Sequence, residues 1–198
     1  MKVNKQKSNE LDMEASTLFA RLSPGDLVLL GARPGHGKTQ LSLKLTVEAM
    51  KSGHQGRFFT LEYSAADVLD LFKSIGEDPA DFRNEFEFDV SDAISAEYIM
   101  ARLSDMPAGT LVVIDYLQLL DQKREKPELM AQVRALKDFA IEHHLIMVFI
   151  SQIDRSYNQS AGACPGLDDV RLPNPLDLKL FNKACFLNDG KMRFSANN

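Results

Sequence analysis

The stretch from Leu27 to Gly53 constrains this chain more than any other. "LVLLGA" (27–32) is a continuous apolar run of strand length, the pattern of a strand buried on both faces in a parallel sheet. It runs into "RPGHGKT" (33–39). Helical spacing follows, with Leu41, Leu45 and Ala49 in one row, Leu43, Val47 and Met50 in a second, and Gly53 as the stop. Buried strand, Gly-rich loop and helix, in that order, are the context that a phosphate-binding loop requires. The usual pattern is Gly, four residues, then Gly-Lys-Ser/Thr. Here the first glycine is one place early, at Gly31, and Ala32 stands where the pattern has glycine. Gly35 and Gly37 remain, and glycine can take the left-handed angles that aim backbone N–H groups at phosphate oxygens. The following helix N-terminus adds partial positive charge. The candidate nucleotide-binding residues are therefore Arg33, Pro34, Gly35, His36, Gly37, Lys38 and Thr39. Lys38 is expected on the β- and γ-phosphates and the Thr39 hydroxyl on Mg²⁺. A Gly-Pro turn followed by a surface lysine is the plain structural alternative.

The rest of the chain alternates strands and helices. Residues 1–12 are polar and read as a flexible tail; "MEASTLFARL" (13–22) reads as a short helix, and "SPGD" as a turn. "RFFTLE" (57–62) is a second strand, and "SAAD" (64–67) resembles a capping box opening a helix. "FEFDV" (86–90) is a third strand and "SAEYIMARLSDM" (95–106) a capped helix. "TLVVIDYLQLL" (110–120) is the strongest strand signal. "KPELMAQVRALKDFAIEHH" (126–144) is helical with Pro127 in its first turn, and "LIMVFISQ" (145–152) is a fifth strand. Residues 156–175 read as a long loop, and "KACFL", "NDG" and "KMRFSA" as a terminal hairpin. The expected fold is α/β: a mostly parallel central sheet flanked by helices, with a C-terminal β-hairpin, in one domain over residues 13–198.

Ligands of such sheets bind at the carboxyl ends of the strands. Besides Lys38 and Thr39, three further strand ends carry suitable groups. Asp115 closes the fourth strand after Leu111 to Ile114, and a carboxylate there can hold Mg²⁺ through its water shell. Glu62 closes the second and can polarise an attacking water. Gln152 closes the fifth and can sense a γ-phosphate by hydrogen bonding. The alternatives are a capping Asp115, a solvated Glu62, and a Gln152 amide that satisfies the following loop.

Together these residues resemble the RecA-like ATPase domain of DnaB-type replicative helicases. That family's phosphate loop commonly reads Ala-Arg-Pro-x-x-Gly-Lys-Thr, which is similar to "ARPGHGKT" with Ala32 included. "TLEYS" (60–64) looks like the family's "SLEMS", which puts the catalytic glutamate on Glu62. Ile114 to Leu119 match "IDYLQL", placing the Mg²⁺-associated aspartate on Asp115. "SQIDR" (151–155) looks like "SQLNR" and aligns Gln152 and Arg155; "PGLDDVR" (165–171) is a weaker likeness to Pro-x-x-x-Asp-Leu-Arg. The resemblance implies a RecA-like P-loop NTPase fold, ATP and Mg²⁺ as cofactors, and hydrolysis by Lys38, Glu62 and Gln152. Family motors end in a strand with a Lys-x-Arg pair that reaches the neighbouring subunit's nucleotide. Lys191 and Arg193 look like such a pair, also resembling KaiC-type relatives, which implies a homo-oligomer; a solvated hairpin strand is the alternative. Family members carry a separate N-terminal domain, whereas few residues precede the phosphate loop here, so a short stand-alone version is expected. "LPNPLDLKLFNK" also departs from the family's acidic, Gly-containing continuation.

Single-stranded DNA is the partner that the resemblance brings with it, and charge weighs against it. The net charge is −5, so DNA contact would need local basic loops. In "DQKREKPE" (121–128), Lys123, Arg124 and Lys126 are offset by Asp121, Glu125 and Glu128. The 156–175 loop has Tyr157 for base stacking but only Arg171 as a cation. The polar N-terminus and the lack of a long apolar run predict a cytoplasmic chain with no membrane contact. Cys164 and Cys185 are expected as free thiols. The expectation is therefore a Mg²⁺-dependent ATPase; a nucleotide-binding adaptor with little turnover and no unwinding is the competing reading.

Overall fold

The computed structural model describes residues 2–196 except 118–119, 121–126, 155, 158–163, 173 and 189–190, with side chains described from Leu11 onward. Seven strands form one sheet: β1 (Leu27–Ala32), β2 (Gly56–Thr60), β3 (Phe86–Asp89), β4 (Leu111–Asp115), β5 (Ile146–Gln152), β6 (Lys183–Asn188) and β7 (Lys191–Ala196). Their order is β3-β2-β4-β5-β1-β6-β7. All neighbours are parallel except β6 and β7. The α/β fold with a mostly parallel sheet and a C-terminal antiparallel hairpin is therefore present. The hairpin is not an appendage, because β6 also pairs in parallel with β1.

Alternation along each strand sends side chains to two buried layers. Val28, Leu30, Phe58, Val113 and Val148 meet α1 (Lys2–Phe19), α2 (Lys38–Lys51) and α3 (Ala65–Ser74) on one face. Leu29, Phe59, Val112, Ile114 and Phe149 meet α4 (Ala96–Leu103) and α5 (Leu129–Glu142) on the other. The two apolar rows of α2 account for its depth: Leu41, Leu43, Leu45, Val47 and Ala49 are all fully buried. Both predicted caps form. Ser64 and Asp67 make a reciprocal capping box at α3, and the Ser95 hydroxyl accepts from the Tyr98 N–H at α4.

Three boundaries differ from the sequence reading. A single helix, α1, replaces the flexible tail over 1–12 and the short helix over 13–22. Leu11, Ala15, Leu18 and Phe19 fall at helical spacing and pack into the α2-side layer, and Asp12 pairs with Lys44 of α2 at 2.6 Å. β2 ends at Thr60, so Glu62 lies beyond the strand. Pro127 precedes α5, whose first residue is Leu129. The basic residues of 121–126, Arg155, most of the central part of the 156–175 loop, and the turn joining β6 to β7 lie outside the described residues.

A polar clamp fixes β6 beside β1 at the end of the sheet away from the β1–α2 glycine loop. Asp26 accepts from the Ser23 N–H, from Asn182 Nδ2 and from Lys183 Nζ, and Asn182 Oδ1 accepts the Leu27 N–H. Asp26 is only 5% exposed, so these partners offset the cost of burying its charge.

Candidate nucleotide site

The β ladders align the predicted strand ends. Thr60 is the Cα partner of Asp115, Asp115 of Ile150, and Gln152 of Ala32. Strand alternation then gives the direction of each side chain. Leu111 and Val113 of β4 and Val148 and Ile150 of β5 lie in the α2-side layer, so Asp115 and Gln152 face α2 as well. The carboxyl ends of β2, β4, β5 and β1 thus converge on the start of α2.

The loop between β1 and α2 has the expected backbone. Gly35 (φ 80°) and Gly37 (φ 83°) are both left-handed, and Gly37 is the N-cap of α2. Space is not the constraint at Gly35, where an added Cβ would meet nothing within 4 Å. The requirement is the angle itself, which a side chain rarely tolerates. Lys38 and Thr39 open the helix at 7% and 6% exposure, while Pro34 and Gly35 are exposed and Arg33, His36 and Gly37 half-buried. The loop crown therefore faces outward, and the Lys38 and Thr39 side chains sit at its base.

Thr39 lies at the centre of a small oxygen cluster. Its hydroxyl donates to Asp115 Oδ2 at 3.5 Å, and the Tyr63 hydroxyl is 3.5 Å from the same Thr39 oxygen. Asp115 is fully buried, and its Oδ1 has no hydrogen-bond partner. Burial pushes the Asp115 carboxyl up to about 7; the nearby Lys38 charge and the Thr39 hydrogen bond oppose this, and the Glu62 charge adds to it. Burial likewise raises the Tyr63 phenol, with the Glu62, Asp115 and Asp67 carboxylates adding to the shift.

Glu62 is exposed at the mouth of this cluster, and its N–H is held by Thr60 Oγ1 at 3.1 Å. Gln152 is half-buried, and its carbonyl accepts the Arg171 N–H at 2.8 Å. Asp154 N–H to Asp169 carbonyl, at 2.8 Å, and the antiparallel Ile153–Val170 bridge complete a strap that seats 167–171 on the end of β5. Lys191 and Arg193 are not brought into the cluster. Both are exposed on β7, while Met192 and Phe194 between them pack into the α2-side layer. Asn188 pairs with Lys191, and Leu187 with both Ala32 and Met192, so Lys191 sits at the glycine-loop end of the sheet, two strands from β1.

The donor set fits a divalent cation. A threonine hydroxyl and a carboxylate are hard oxygen ligands, and the orphaned Asp115 Oδ1 is a buried acceptor in need of a partner. The described residues contain no group of three or more His, Cys, Asp or Glu suited to holding a metal, so any ion here draws its remaining ligands from water or phosphate oxygens. One participant carries little signal in the sequence: Tyr63 stands beside a helix cap and belongs to no periodic pattern. The buried Ser151 hydroxyl also has no hydrogen-bond partner, but strand alternation turns it to the opposite face, with Met147 and Phe149.

Fold and site together define a mostly parallel α/β domain with a left-handed glycine loop at the carboxyl ends of its central strands. The family model described as DnaB-like helicase C terminal domain matches residues 82–174. Across 189 residues the chain is 25% identical to the replicative DNA helicase DnaB of Leifsonia xyli subsp. xyli, covering 80% of this chain and 41% of that protein. Among solved structures it is similar to a DnaB-like replicative helicase studied with its interactions with primase, with a TM-score of 0.65 and 19% identity over 84% of this chain and 48% of that one. It is also similar to the KaiC-like protein PH0186 of Pyrococcus horikoshii OT3, with a TM-score of 0.60 and 18% identity over 82% and 70% of the two chains. The resemblance to the DnaB-type domain therefore holds in sequence and in fold, and the resemblance to the KaiC-like protein in fold. The chain spans about two-fifths of the length of the curated helicases that it matches.

Proposed function

We propose that this domain binds ATP with Mg²⁺ and hydrolyses it by direct attack of water on the γ-phosphate. The observation that carries the reading is the Thr39–Asp115 contact at 3.5 Å, joining the base of a left-handed glycine loop to a buried carboxylate with an unpartnered oxygen. Arg33, Gly35, His36 and Gly37 offer backbone N–H groups to the phosphates, Pro34 shapes the turn between them, and Lys38 neutralises charge on the β- and γ-phosphates. Thr39 and Asp115 hold the cation, Asp115 partly through water. Mg²⁺, when bound, supplies charge neutralisation at the phosphate oxygens. Glu62, exposed beside the cluster, orients the water, and Gln152 reads the γ-phosphate and passes its state through Arg171 to the strap. Lys191 and Arg193, turned outward, act on the nucleotide of a neighbouring copy, so turnover requires a homo-oligomer. Single-stranded DNA is the polymer on which such a motor would act in the cytoplasm. The assay is steady-state ATPase with and without single-stranded DNA. Mg²⁺-dependent turnover that DNA stimulates supports a DNA-linked motor, and absence of turnover removes the enzyme assignment.

A second reading is favoured by the net charge of −5 and by the sparse cations of the 156–175 loop. In it the domain is a nucleotide-binding adaptor with little turnover and no unwinding. Sedimentation with and without ATP separates the two: a ring indicates the motor, and a monomer indifferent to DNA indicates the adaptor.

A further inference from the structure

The chemistry assigned so far does not use Tyr63, yet its side chain is the third member of the Thr39 oxygen cluster. Its hydroxyl lies 3.5 Å from Thr39 Oγ1, on which Asp115 Oδ2 also converges at 3.5 Å. With the Thr39 hydroxyl donating to Asp115, its oxygen is open to accept from the Tyr63 phenol. Three oxygens on three separate segments thus form one chain: the loop after β2, the first turn of α2, and the end of β4.

The backbone that carries Tyr63 is pinned on both sides. One residue before it, the Glu62 N–H is held by Thr60 Oγ1 at 3.1 Å. One residue after it, Ser64 is the N-cap of α3, with its N–H on Asp67 Oδ2 at 2.9 Å and its hydroxyl on the same oxygen at 2.6 Å. A three-residue segment clamped between a strand end and a helix cap has little freedom, so the phenol is delivered to Thr39 by the fold rather than by chance contact. The Tyr63 ring is half-buried and packs against the α2-side layer, which limits its rotation further.

We propose that Tyr63 is a positioning residue for the divalent cation. Its hydroxyl fixes the rotamer of Thr39, so that the threonine oxygen stays beside the Asp115 carboxylate, whose second oxygen is unpartnered. Groups that hydrogen-bond a metal ligand from behind orient it, and their loss weakens metal affinity far more than it weakens the fold. Both contacts are long for O–H···O bonds, so the effect is expected at the lower end of what such groups contribute. This inference rests on the Mg²⁺–nucleotide reading of the site.

The test is binding rather than turnover. Affinity for a fluorescent ADP analogue is measured for wild type and Tyr63→Phe across a Mg²⁺ titration, with EDTA as the ion-free point, and thermal melting checks that the variant is folded. The expected result is unchanged affinity in EDTA and roughly a 3–10-fold higher Mg²⁺ concentration at half-effect in the variant. A purely structural role predicts instead that melting temperature and EDTA affinity fall together while the Mg²⁺ midpoint stays put, and that outcome overturns the proposal. So does an identical titration in the two proteins, which leaves the nucleotide reading intact. If wild type itself shows no binding in either condition, the nucleotide reading fails and Tyr63 has no cation to position.

Discussion

Thr39 and Asp115 are 76 positions apart in the chain, and their side-chain oxygens are 3.5 Å apart beneath the glycine loop. Asp115 is held there without enough partners, which makes the ligand-free protein sensitive to pH. Its carboxyl is raised from 3.8 to about 7, so between those values the folded state binds a proton that the unfolded state has released. Stability without ligand is therefore expected to fall as pH rises from about 4 to 7 and to level off above. Asp115→Asn removes the buried charge and should raise stability at pH 8 by about 2–4 kcal/mol in the absence of Mg²⁺ and nucleotide. Urea unfolding at pH 5 and pH 8 checks both statements, and a wild type more stable at pH 8 would contradict them.

Glu62 and Lys38 should separate binding from turnover. Lys38→Ala is expected to abolish nucleotide binding, because the charge at the base of the loop is lost. Glu62→Gln should keep binding and lower turnover at least about 100-fold, the usual scale for a positioned base. Isothermal titration beside an ATPase assay reads the two effects, and unchanged ATPase activity in Glu62→Gln would remove this residue from the reaction.

Lys191 and Arg193 point away from their own cluster, so their loss should not alter nucleotide affinity. Lys191→Ala with Arg193→Ala is expected to lower turnover about 10-fold or more while binding stays the same, in keeping with charge supplied in trans. Mixing this double variant with Lys38→Ala should partly restore activity, because each copy provides what the other lacks. No rescue at any mixing ratio would argue for an ordinary solvated hairpin.

Asp26 bears on stability alone. Asp26→Ala leaves the Lys183 ammonium without its carboxylate and the Ser23 N–H without its acceptor. The expected loss is about 2–4 kcal/mol, read by chemical denaturation. Nucleotide affinity under native conditions should be unchanged, because the clamp sits at the opposite end of β1 from the glycine loop.

Much of this was legible in the sequence, and the reasons are local. Strands such as Leu111–Asp115 are buried on both faces and announce themselves as apolar runs. Ser64 and Ser95 announce their helices through cap chemistry confined to four residues. The glycine loop was legible because left-handed angles need a residue type. The illegible parts depend on distant partners. α1 is polar in composition, and its helix shows only once α2 offers Lys44 to Asp12 and a floor to Leu18. Tyr63 becomes meaningful only when Thr39 is set beside it. The Asp26 clamp joins residues more than 150 positions apart, and no window along the chain contains both ends.

The place of β6 has a mechanical consequence. It is hydrogen-bonded to β1 on one side and to β7 on the other, and Asp26 locks its first residue. A push on Lys191 or Arg193 directed along the strands loads both ladders in shear, where many hydrogen bonds share the force, rather than peeling them one at a time. The strand that ends in the glycine loop and the strand that carries the outward basic pair are thus joined through one intervening strand.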